Sequence, residues 1–146
     1  MFQRILVALD GSVNAQKGLA RAVAVAKGAG TKVVGLVHVR PSLQSLAYAY
    51  GYDTTGLPGW HFAERLQEGV RQAEQRSREL LQEAEAYVRA QGLTDVEVVQ
   101  HAVEGPVVRR IIDTVRQGGY DLLVIGSRGM GRAAGLLLGS VSSKVL

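Results

Sequence analysis

Apolar and polar positions follow two rhythms along this chain. Arg4 to Leu9 ("RILVAL") is a short run rich in branched residues, the pattern of a strand buried on both faces. A helix is predicted next. Ser12 or Asn14 can cap it, and Leu19, Ala20, Val23, Ala24 and Ala26 recur at helical spacing until Gly28 and Gly30 stop it. A second strand, "KVVGLVHV" from Lys32 to Val39, ends at Pro41. Residues Pro41 to Gly59 have no clear period, hold Tyr48, Tyr50 and Tyr52, and are expected to form a loop serving as a lid or a partner surface, or simply disordered. From about Trp60 to Gln91 the pattern is strongly helical, with Phe62, Leu66, Val70, Ala73, Leu80, Ala84 and Tyr87 on one stripe. Ser77 interrupts that stripe, so packing on a sheet is favoured over a coiled coil. A third strand is predicted near Val96 to Val103. It leads to a helix with Pro106 at its first position and Val107, Val108, Ile111, Ile112 and Val115 on its buried face. Gly118 and Gly119 close that helix, and Tyr120 to Gly126 ("YDLLVIG") is the fourth strand. Strands alternating with helices are the mark of an α/β fold, here a doubly wound open parallel sheet with helices on both faces.

The length of 146 residues is that of one ordinary domain, expected to span 1–146. No apolar stretch approaches the ~20 residues needed to cross a bilayer, and the N-terminus lacks the pattern of a secretion signal. Cytoplasmic residence without membrane attachment is the expectation. The absence of cysteine excludes disulfides and thiolate chemistry. The net charge of +4 raises the question of nucleic acid, but the arginines are interleaved with glutamates and no basic stripe with stacking aromatics occurs. No nucleic-acid partner is expected.

The segment "VIGSRGMGRAAGLLLGSV", Val124 to Val141, crowds Gly126, Gly129, Gly131, Gly135 and Gly139 together. Glycine loses the most backbone entropy on ordering, so such a cluster asks for a geometry that side chains forbid. Two readings stand: main-chain N–H groups converging on a phosphate, or a tight turn with close helix packing. "LDGS" (Leu9 to Ser12) follows the first strand as "GSRGMG" follows the fourth, and ligands of open parallel sheets sit at such carboxyl ends. The Lys-Ser/Thr pair of a nucleoside triphosphatase loop is missing from every glycine cluster. A dinucleotide fingerprint forced onto Gly129, Gly131 and Ala134 lacks the acidic residue that should follow about twenty positions on.

The spacing Gly126-x-x-Gly129, nine residues, then Gly139-Ser140, resembles the nucleotide signature of the universal stress protein family, in its ATP-binding branch. "ILVALDGS", "GLVHV", "EGPVVRRIID" and "YDLLVIGSRG" extend the likeness over most of the chain. The resemblance implies strand order 3-2-1-4-5, which sets the loops after strands one and four side by side. It also implies that Asp10 contacts the nucleoside, that the main chain at Val39 reads adenine, and that Gly126 lies near the ribose. Gly129, Gly139 and Ser140 would serve the phosphates, with Val141 and Ser142 in the same turn and Arg128 and Arg132 adding positive charge. Mg²⁺ would accompany the ATP and neutralise it. Asp10 also has a plainer reading as a helix cap or turn residue. Family members usually continue with a helix and a fifth strand such as "PVLVV" that pairs across a dimer. The given sequence reaches Leu146 before such a strand, so the fifth strand is expected to be missing from it, and either the sequence is truncated or the expected homodimer is built differently.

No catalytic constellation accompanies these residues. His38, His61 and His101 are isolated in sequence, His38 reading as a packed or hydrogen-bonded core histidine. Three functions remain: a nucleotide-responsive stress regulator acting on a protein partner, a slow Mg²⁺-dependent ATP hydrolase or phosphotransferase, and a dimeric interaction module that binds no nucleotide.

Overall fold

The computed structural model describes residues 2–51, 59–126 and 135–138. The elements run β1 (Arg4–Leu9), α1 (Val13–Ala29), β2 (Val33–Arg40), α2 (Leu43–Gly51), α3 (Gly59–Ala90), β3 (Glu97–Glu104), α4 (Val107–Gly118), β4 (Leu122–Ile125) and β5 (Gly135–Leu138). They build one sheet of order β3-β2-β1-β4-β5. The first four strands are mutually parallel, with Leu9 beside His38, Val39 beside Val103 and Ala8 beside Ile125.

Chain direction explains which side each helix covers. Stepping from β1 to β2 to β3 moves outward in one direction, so right-handed crossovers put α1 and α3 on the same face; the return to β4 puts α4 on the other. Two apolar layers result. Ile5, Val7, Val34 and Leu36 meet Leu19, Val23, Leu81 and Val88 on the α1–α3 side, whereas Leu6, Val37 and Leu123 meet Ile111 and Val115 of α4. Because β1 is central and covered on both sides, Ile5, Leu6 and Val7 are fully buried. The edge strand β3 alternates instead, with Glu97, Gln100, Ala102 and Glu104 exposed; its charges discourage pairing with another chain.

Sequence signals for the ends of α1 hold. Ser12 is its cap, its Oγ accepting the Ala15 N–H at 3.1 Å, and Gly30 closes it in the left-handed conformation. Other expectations need correction. The segment expected to be a loop carries α2, started by Ser42, whose Oγ accepts the Ser45 N–H at 3.0 Å, while Leu46 and Ala73 line one crevice between α2 and α3. Val107 and Val108 are 56% and 53% exposed, so the buried face of α4 is Ile111, Thr114 and Val115. Pro106 caps that helix rather than beginning it.

A further short strand that the pattern did not announce, β5, lies inside the glycine-rich segment and is distinct from the strand of the "PVLVV" form that family members carry after a later helix. Gly135–Leu138 pairs antiparallel with β4, Leu123 opposite Leu137. The apolar run "GLLL" of the glycine-rich segment thereby covers an edge of β4 that would otherwise be open.

Tyr120, just before β4, lies across β2 at Gly35. Its hydroxyl meets His101 Nε2 at 2.7 Å and the Arg4 guanidinium stands 5.2 Å from its ring centre. A Cβ on Gly35 would overlap the Tyr120 hydroxyl and ring. Gly35→Ala is therefore expected to destabilise the protein by about 1–3 kcal/mol through overpacking. Urea unfolding measures this, and an unchanged midpoint would contradict the packing described.

Candidate functional site

The carboxyl edge of the sheet is where β1, β2 and β4 release their chains. Asp10 follows the last residue of β1, Val39 follows the last β2 residue paired with β1, and Gly126 follows the last of β4. Neighbouring strands lie about 4.8 Å apart, so these three positions share one edge across three adjacent strands. β1 and β4 mark the point where the crossovers change direction, the crevice that open α/β sheets use for ligands. Arg128, Gly129, Gly139, Ser140, Val141 and Ser142, together with Gly131 and Arg132, lie outside the described residues.

The turn after β1 is set by local hydrogen bonds. Asp10 Oδ1 accepts the Ser12 N–H at 2.9 Å, Gly11 takes φ of +83°, and Ser12 then caps α1. Asp10 thus shapes the turn, and the cap itself is Ser12. Its carboxylate remains on the exposed rim. β2 runs on past its last pair with β1, so Val39 and Arg40 keep only β3 as a strand partner among the described strands. The β1-facing main chain at Val39 is left outside the ladder. Arg40 faces Glu104 at 3.8 Å.

Gly126 is buried beneath the first turn of α1. A Cβ there would overlap the Asn14 carbonyl and come within 3.0 Å of Ala15 Cα, while one on Gly18 would sit 3.4 Å from the Gly126 nitrogen. At Gly126 the requirement for glycine therefore comes from close packing of strand end on helix. That contact brings the β4 exit against the helix that starts beside Asp10.

His38 sits at the same edge, half-buried, with Nδ1 2.9 Å from Ser77 Oγ. Ser77 is 1% exposed, and its hydroxyl turns out to be the partner that a buried imidazole needs. A polar residue interrupting an apolar helical stripe was the sequence signal for this pair. Burial holds the His38 pKa below its ordinary 6.5, helped by the positive charges of Arg76 and Arg40 and opposed by Asp10. His101 is lowered likewise by burial and then by Arg4. Arg76 carried no signal in the sequence, because one arginine among many on a charged helix looks like solvated surface. Among the described residues no group of three or more His, Asp or Glu side chains converges to hold a metal, and no helix is long and apolar enough to cross a membrane.

The whole chain, residues 1–146, matches the model of the universal stress protein family. A curated relative from Thermus aquaticus, the universal stress protein in the QAH/OAS sulfhydrylase 3′ region, is 31% identical over 149 residues, covering 100% of this chain and 92% of its own. Among solved structures, the protein MJ0577 superposes with a TM-score of 0.68 at 19% identity, over 99% of this chain and 88% of its own. A universal stress protein family protein from Arabidopsis thaliana, solved with AMP bound, gives a TM-score of 0.56 at 18% identity, over 89% of this chain and 80% of its own. The chain belongs to the universal stress protein family.

The lowered His38 and His101 values fix the sign of a pH effect. Below about 6.5 the unfolded chain binds protons that the folded chain resists, so stability falls on acidification and is regained as pH rises through that window. Urea midpoints measured between about pH 7 and pH 5 should decrease, and His38→Gln should make the decrease shallower. An identical slope in that variant would contradict the burial assigned to His38.

Proposed function

We propose that this protein binds ATP at the carboxyl edge of β1, β2 and β4 and acts as a nucleotide-responsive regulator of the stress response. The observation that carries the reading is the gathering of Asp10, Val39 and Gly126 at one edge, beside the exit of the glycine-rich segment. Family membership supports it, as does the AMP-bound relative from Arabidopsis thaliana. In this reading Asp10 accepts hydrogen bonds from the nucleoside, the main chain at Val39 meets the adenine edge, and Gly126 borders the ribose. Gly129, Gly139 and Ser140 offer N–H groups, and Ser140 its hydroxyl, to the phosphates, with Val141 and Ser142 in the same turn. Arg128 adds positive charge. Mg²⁺ accompanies the nucleotide, held chiefly by phosphate oxygens and water as that ion prefers. Regulation follows if ATP occupancy alters the order of these loops or the geometry of a homodimer, and so the choice of a protein partner in the cytoplasm.

Calorimetric titration with ATP and Mg²⁺ tests this. Asp10→Ala should weaken binding by about 1–3 kcal/mol, the range for losing a charged hydrogen-bond partner. Gly129→Val should abolish binding while leaving the circular dichroism spectrum unchanged. Wild-type affinity in both variants would contradict the assignment.

A further inference from the structure

Helix α3 does more than cover the sheet. It has 32 residues, about 48 Å at 1.5 Å per residue, against 8 residues and about 26 Å for β2. The His38–Ser77 hydrogen bond fixes the register between them, setting the Ser77 turn level with the carboxyl end of β2. With Ser77 turned inward, the neighbouring side chain of Arg76 reaches sideways over the β1–α1 turn. Its Nη2 stands 2.7 Å and its Cζ 3.7 Å from the point where a Cβ on Gly11 would be. Leu80, one helical turn on, comes within 3.5 Å of the same point. The missing side chain of Gly11 is what leaves room for the guanidinium over the turn that follows Asp10. Asp10 and Arg76 also act with opposite sign on the imidazole of His38, so carboxylate and guanidinium stand within electrostatic reach of one group.

Resting on the nucleotide reading above, we infer that Arg76 is a ligand-contacting residue of this site, a cation supplied by α3 that pairs with the phosphate charge of the bound nucleotide. The guanidinium suits the task, because its planar fork matches two phosphate oxygens at once. Its placement gives the site a positive charge on the α3 side, distinct from the glycine-rich segment after β4. Asp10 then deals with hydroxyl donors while Arg76 deals with anionic oxygens. Discrimination of nucleotide from nucleoside is accordingly shared between main-chain amides and this one side chain.

Calorimetric titration of the full chain with ATP and, separately, with adenosine tests the assignment. Arg76→Gln should weaken ATP about tenfold and leave adenosine unchanged, Arg76→Lys should fall between, and Arg78→Gln, on the same helix and bonded to Gln75, should match wild type. Raising the salt concentration should cost wild type more ATP affinity than it costs Arg76→Gln. Unchanged ATP affinity in Arg76→Gln would overturn the inference, as would equal losses for ATP and adenosine, which would mark Arg76 as structural. Should wild type bind neither compound, the nucleotide reading itself falls and this inference with it, a result separate from the other two.

Discussion

The close approach of β4 to the first turn of α1 is the constraint on which the arrangement depends. Gly126 under the Asn14 carbonyl and Gly18 against the Gly126 nitrogen let backbone meet backbone where any side chain would hold strand and helix apart. Because β1 and β4 are neighbours with crossovers departing in opposite directions, that contact brings two loop exits together at one edge. One exit carries Asp10 and the α1 cap; the other opens the glycine-rich segment. Buried β1, covered on both sides, gives the edge a rigid base.

Polar groups at this edge are held by specific partners rather than left to solvent. Asp10 fixes its own turn through the Ser12 N–H, Ser12 caps α1, and Ser77 satisfies His38. The last of these ties helix to strand and sets how far α3 extends past β2. A second polar device, Tyr120 with His101 and Arg4, ties β4 to β3 across Gly35 on the opposite side of the sheet. Hydrogen-bonded pairs of this kind cost little when satisfied and much when broken, so they specify register as well as support it.

Much of this was legible in the residues. The branched runs at Arg4 to Leu9 and Lys32 to Val39 announce buried parallel strands, and the stripe from Phe62 to Tyr87 announces α3, because side-chain period follows backbone geometry directly. Ser12 and Gly30 mark the ends of α1 through local hydrogen bonding and a left-handed turn. What local pattern could not carry was tertiary in origin. α2 is too short to show a period and takes its packing from α3. Val107 and Val108 look like a buried stripe, but the folded chain leaves both more than half exposed. The antiparallel pairing of Gly135–Leu138 answers an open edge on β4, which no window of sequence displays. At the site, Asp10, Val39 and Gly126 stood out through their motifs, whereas Arg76 acquires meaning only from the space above Gly11.

Amide chemical-shift mapping of ¹⁵N-labelled protein titrated with ATP and Mg²⁺ tests the central claim most directly. The account predicts perturbations concentrated at Asp10, Gly11, Val39 and Gly126, on three adjacent strand ends. Shifts confined to the opposite edge of the sheet, or none at saturating nucleotide, would contradict it.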